Sequence, residues 1–145
     1  MRTMEIEEGV YQIRNVNSGK VADVKGESKD SGANVHQWED WDDPGNQQFA
    51  FEDQGNGRYR ITAQHSGLVL TADGGQYGNL IQDEWNGSDA QLWTLEEVAD
   101  GEYRIDNVGT GQTLDVAWAS TENGANICLY HWHGGDNQRW QLTSV

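Results

Sequence analysis

Apolar and polar positions alternate over short runs in this chain, and glycine turns cut the runs apart. Tyr11 and Ile13 flank the polar Gln12, a Ser18-Gly19 turn follows, and Val21-Ala22-Asp23-Val24 resumes the apolar run. This is the period of half-buried strands joined by hairpin turns. No segment sustains a helical period, and the density of Gly, Asn and Asp opposes helix formation. The pattern predicts an all-β chain.

The runs recur. Gly9-Val10-Tyr11-Gln12-Ile13, Gly57-Arg58-Tyr59-Arg60-Ile61 and Gly101-Glu102-Tyr103-Arg104-Ile105 open three units, which close on Gln47-Gln48-Phe49, Gln91-Leu92-Trp93 and Gln138-Arg139-Trp140. Tyr11 to Tyr59 spans 48 positions and Tyr59 to Tyr103 spans 44, so three units of about 45 residues (about 9–52, 57–96 and 101–142) fill a single domain of 145. Each carries a Ser/Thr-Gly turn after its tyrosine (Ser18-Gly19, Ser66-Gly67, Thr110-Gly111) and an asparagine further on (Asn34, Asn79, Asn126), read as a turn residue. Trp41, Trp85 and Trp132 each lie six positions before the closing Gln and are expected in the core, with Phe49, Trp93 and Trp140. One unit cannot bury its apolar face alone, so the three must pack about a common axis.

Composition narrows the partners. The chain is 35% hydrophobic with a mean hydropathy of -0.82, so seven Trp and five Tyr must supply much of the apolar bulk. Twenty-four acidic against nine basic residues give a net charge of -15, a field that repels phosphate backbones and anionic membranes. The acids are spread along the chain and only Lys20, Lys25 and Lys29 are lysine, the balance of proteins from salt-loving organisms. No run approaches the ~20 apolar residues of a membrane helix, and the N-terminus shows no signal peptide, which fits either a cytoplasmic protein or a module of a secreted one. Cys128 is the only cysteine, expected as a small buried hydrophobe without a disulfide. The stretch Glu39-Asp40-Trp41-Asp42-Asp43 lacks calcium-loop spacing, the four histidines lack zinc-site partners, and Gly74-Gly75 and Gly134-Gly135 lack the lysine of a phosphate loop. Neither a metal nor another cofactor is expected, and no pair of carboxylates stands out as catalytic.

The triplication, the Gln-x-Trp endings and the Leu114-Asp115-Val116 phrase resemble the ricin-B-type β-trefoil lectins and carbohydrate-binding modules over residues 9–142. The resemblance implies a β-trefoil: twelve short strands with pseudo-threefold symmetry, in a partly closed barrel capped by hairpins. It also implies where sugar binds. The positions are an Asp after the turn, an aromatic four residues beyond the asparagine, and an Asn before the closing Gln. These are Asp23, Trp38 and Asn46 beside Gln47 in the first unit, and Asp115, Tyr130 and Asn137 beside Gln138 in the third. The second unit has Thr71, Asp83 and Ala90 instead, so the whole triad changes there while Tyr59, Gly67, Gln91 and Trp93 stay. Gln47 and Gln138 are read as loop braces, since Gln91 persists beside the lost triad. His133 matches a histidine of some xylan-binding modules; its counterpart in the first unit is Asp42. One extra residue between Trp38 and Trp41 is expected to widen the first rim.

The side chains suit the chemistry. A flat ring stacks on the C–H face of a pyranose, a carboxylate accepts from two adjacent hydroxyls, and an amide both donates and accepts. The expectation is a non-enzymatic lectin with two weak sites for galactose- or xylose-type glycans. The rivals are an interaction or inhibitor trefoil with relic sites, or the binding module of a glycoside hydrolase.

Overall fold

A computed structural model describes residues 6–41 and 44–145; the expectations placed on residues 1–5, Asp42 and Asp43 lie outside it. The described residues form twelve strands. The first repeat holds β1 (Gly9–Asn15), β2 (Val21–Val24), β3 (Val35–Trp38) and β4 (Phe49–Gly55). The second holds β5 (Arg58–Ala63), β6 (Val69–Asp73), β7 (Asn79–Asp83) and β8 (Trp93–Ala99). The third holds β9 (Glu102–Asn107), β10 (Thr113–Val116), β11 (Ile127–Tyr130) and β12 (Trp140–Ser144).

The first and last strands of each repeat pair antiparallel in a ring, β1–β4–β5–β8–β9–β12, which β12 closes by pairing with β1 from Tyr11↔Ser144 to Asn15↔Trp140. The barrel is therefore complete rather than partly closed, because the last repeat returns to the first and leaves no ring edge unpaired. The hairpins β2–β3, β6–β7 and β10–β11 cap it, giving the expected β-trefoil.

The period-two pattern sets what is inside. Ile13, Phe49, Ile61, Trp93, Leu95, Ile105 and Trp140 are fully buried, so the closing aromatics are core as expected. The Trp93 and Trp140 indole N–H groups donate to the carbonyls of Leu70 (3.1 Å) and Leu114 (3.2 Å), which satisfies the one polar atom that burial would otherwise strand. The other three tryptophans are not core. Trp41 is 51% exposed, Trp85 38%, and Trp132 half-buried. The guanidinium of Arg60 lies 4.8 Å from the Trp85 ring centroid and that of Arg104 lies 4.4 Å from Trp132, so cation–π contacts hold these rings on the surface. In the first repeat Gln12 replaces the arginine and donates to Asp40 instead.

The three asparagines read as turn residues do something else. Asn34 Nδ2 donates to Asn126 Oδ1 and Asn126 Nδ2 to Asn79 Oδ1, both at 2.7 Å, so one residue from each repeat joins a relay across the pseudo-threefold axis.

Candidate functional site

Two clefts open on the flanks of the trefoil, one on the first repeat and one on the third. In the first, Asp23 lies on β2 opposite His36 on β3. Its Oδ1 is 2.9 Å from His36 Nε2, and its Oδ2 accepts from Gln47 Nε2 at 2.8 Å. Trp38 ends β3 with its ring stacked on His36, centroids 5.5 Å apart and planes 28° apart. Asn46 rises from the single helical turn Gly45–Gln47 and donates to the Val24 carbonyl at 3.1 Å, which holds the amide beside the carboxylate. Gln47 also donates to the Glu39 carbonyl at 3.0 Å, so it is the brace expected of it.

The third repeat reproduces this frame with different neighbours. Asp115 on β10 accepts from Gln138 Nε2 at 2.9 Å, and Gln138 also donates to the His131 carbonyl at 2.8 Å. Asn137 donates to the Val116 carbonyl at 3.1 Å. Cys128 stands opposite Asp115, where the first repeat has His36. It is half-buried and lines the cleft, so it is not the core hydrophobe expected; hairpin register sets its thiol against Asp115, where it donates to the backbone carbonyl at 3.5 Å and lies 3.9 Å from Oδ1. Burial, and then the Asp115 charge, push its thiol up to about 12, so it stays protonated. Burial likewise raises the Asp115 pKa above its ordinary 3.8, with the Gln138 hydrogen bond and the nearby His133 pulling back. His133 Nδ1 accepts the Gly135 N–H at 3.1 Å, so a neutral ring carries its proton on Nε2, which faces Asp115 Oδ2 at 3.9 Å. Tyr130 is 38% exposed, with His131 tilted against it at 4.3 Å.

The clefts measure about 450 Å³ in the first repeat and 470 Å³ in the third. In the second repeat Thr71 Oγ1 donates to the Val69 carbonyl (3.0 Å) and accepts from Gln91 (3.2 Å), Ile81 stands opposite, and Asp83 accepts from the Ser31 hydroxyl. That position therefore offers neither ring nor free carboxylate in the frame. Among the described residues no group of three or more His, Cys, Asp or Glu is arranged to hold a metal.

The structure brings Asp23, Trp38, Asn46 and Gln47 together in the first repeat and Asp115, Tyr130, His133, Asn137 and Gln138 in the third. Trp41, expected in the core, lines the first cleft with Glu27 and Glu39, and His36, Trp118 and Tyr77 were not among the candidates. His36 was hidden because its relation to Asp23 depends on hairpin register, which alternation alone leaves open. Trp118 and Tyr77, both lining the third cleft, come from loops outside the repeated phrases. The available signal was that Trp118 occupies the place of Gly26 in the first repeat.

Comparison with known proteins places this geometry. The designed threefold-symmetric protein ThreeFoil superposes with a TM-score of 0.91 at 38% identity over 94% of this chain and 99% of its own. The exo-β-1,3-galactanase of Clostridium thermocellum gives 0.90 at 35% identity, over 98% of this chain and 31% of the enzyme. The ricin B-like lectin of Macrolepiota procera, solved in complex with lactose, gives 0.82 at 22% identity over 98% of this chain and all of that one, a likeness of fold. A family model for ricin-type β-trefoil lectin-like domains matches residues 3–82, 45–130 and 89–145, in three overlapping registers that follow the internal repeat. With the whole of its repeated architecture accounted for in this way, the chain belongs to the ricin-type β-trefoil lectin domain-like family.

Proposed function

We propose that this chain is a non-enzymatic carbohydrate-binding protein or module with two sugar sites, one in the first repeat and one in the third. The observation that carries the reading is the broken symmetry: carboxylate, aromatic ring and amide stand together in two repeats and are lost together in the second, while the buried scaffold repeats three times. Asp23 and Asp115 accept from vicinal hydroxyls, Trp38 and Tyr130 stack on the sugar face, and Asn46 and Asn137 add an amide contact. Gln47 and Gln138 fix the carboxylates, and His133 borders the third site. The glycans are of galactose or xylose type. Lactose and GalNAc in the complexes of family-like lectins, and the galactanase relationship at 35% identity, favour the galactose side.

Each contact set is small, which sets single-site affinity near millimolar, about 4 kcal/mol, and leaves useful retention to two sites acting on one polymer. The galactanase match over 31% of that enzyme also supports a second form of the same reading, an accessory module that holds a hydrolase on its substrate. Retention on galactan and xylan matrices with free-sugar competition tests the assignment. The Asp23→Ala, Asp115→Ala double variant is expected to lose retention and Thr71→Ala to keep it, with melting curves confirming that both fold. Undiminished retention of the double variant contradicts the two sites, and absence of any sugar-competable retention by the unsubstituted chain favours a protein-binding trefoil.

A further inference from the structure

The third cleft has a wall that the first lacks. Trp118 lines it, is 97% exposed, and sits at φ 61°, ψ 17°, in the left-handed region. The matching residue of the first repeat is Gly26, at φ 66°, ψ 18°. Left-handed backbone disfavours any side chain, most of all a bulky one, and an indole so exposed gains no burial in return. Glycine serves the fold better at 118, so the indole answers to something outside the chain.

Its mount is held hard. Ala119, also left-handed at φ 51°, accepts from Asn17 Nδ2 at 3.0 Å. Gln37 Nε2 donates to the carbonyls of Ser120 (3.0 Å) and Glu122 (2.9 Å), and Lys20 Nζ to that of Thr121 (2.6 Å). Hydrogen bonds from the first repeat thus fix the strained loop, as happens where strain is kept for use. Tyr77, 57% exposed, meets Tyr130 edge-on at 5.3 Å from the second repeat. Among the described residues, Asp115 is the one carboxylate lining this cleft, against Asp23, Glu27 and Glu39 in the first.

Building on the sugar-site reading above, we propose that Trp118 is a second stacking face and that the third cleft takes two linked units of a neutral oligosaccharide, one on Tyr130 against Asp115 and the next on Trp118. The first cleft has Gly26 in that place, and its own second ring, Trp41, lines it from the loop after β3; without a face at the position of 118 it takes one unit. The chain's charge of -15 disfavours acidic sugars at low salt.

Amide-shift titrations separate the two claims. In an Asp23→Ala background, galactose is compared with β-1,3-galactobiose and xylose with xylobiose. The disaccharide of the sugar that binds is expected to show a Kd about tenfold below that of its monosaccharide. Trp118→Gly, which installs the first repeat's own residue, and Trp118→Ala, which removes only the indole, are both expected to bring the ratio within about twofold. The first cleft alone, in an Asp115→Ala background, is expected to give that low ratio from the outset. A low ratio with Trp118 present, or a tenfold preference surviving both substitutions, overturns the second stacking face while leaving the sugar sites standing. Absence of binding by either sugar, or binding indifferent to Asp115, overturns the sites and this inference together.

Discussion

In the proposed role Asp115 must be ionised to accept from two hydroxyls at once, yet its surroundings favour the neutral acid. Burial raises its pKa above 3.8, and its folded-state value therefore exceeds its unfolded one. The sign of the linkage follows: this group's contribution to folding is most favourable below the unfolded pKa, falls as pH rises to the folded pKa, and is flat above it. Sugar bound as proposed would work in the opposite sense, since it would select the ionised form. In the Asp23→Ala variant, affinity for galactose or xylose is expected to weaken on acidification from a pH above 3.8, approaching tenfold per pH unit once below the folded pKa. Affinity held constant down to pH 3.8 would show that the carboxylate is not the acceptor. At this scale the acids, rings and amides were legible because they vanish as a set from the second repeat. The side a residue faces was less legible. Trp41, Trp85 and Trp132 share one offset, yet a period fixes a position along the chain and not its exposure; the clue was Arg60 and Arg104 in the second and third opening phrases and Gln12 in the first.

The loops between hairpin strands decide how the clefts differ. Asp23 to Asn34 is 11 positions and Asp115 to Asn126 is 11, but Thr71 to Asn79 is 8, so the second repeat's loop is three residues shorter. Each loop leans on the next repeat. Buried Gln37 carries the third repeat's loop, and buried Gln82 carries the first's by donating to Ser28 (2.8 Å) and Asp30 (2.9 Å). The equivalent position in the third repeat is Leu129, which has no amide to offer. The short loop is held instead by Gln112, whose Oε1 accepts from the Tyr77 N–H at 2.7 Å, while the backbone bond from Leu129 N–H to Gly78 (2.9 Å) matches those from Gln37 to Ala125 and Gln82 to Ala33 in the other two. That shortening is what brings Tyr77 to Tyr130. Twelve strands could be read from alternation and turns, because those are local. Which loop meets which cleft could not, because it depends on closure of the ring, where residues 53 to more than 100 positions apart come into hydrogen-bond contact.

For the molecule as a whole, the symmetry of packing and the proposed asymmetry of binding rest on one scaffold. The aromatic core, the ring of six strands and the asparagine relay serve all three repeats. Charge acts at the same scale. Shortening the Debye length from about 10 Å at 0.1 M salt to about 3 Å at 1 M screens the self-repulsion of a chain at -15, so the melting temperature is expected to rise across that range. A melting temperature indifferent to salt would remove the case for adaptation to a saline setting. The most direct test of two sites on a threefold scaffold is an amide-shift map of the wild-type chain titrated with galactose and with xylose. Shifts are expected in two clusters, around Asp23 and Trp38 and around Asp115 and Tyr130, with none at Thr71 and Ala90. A third cluster at Thr71, or shifts confined to surfaces away from both aspartates, would contradict it.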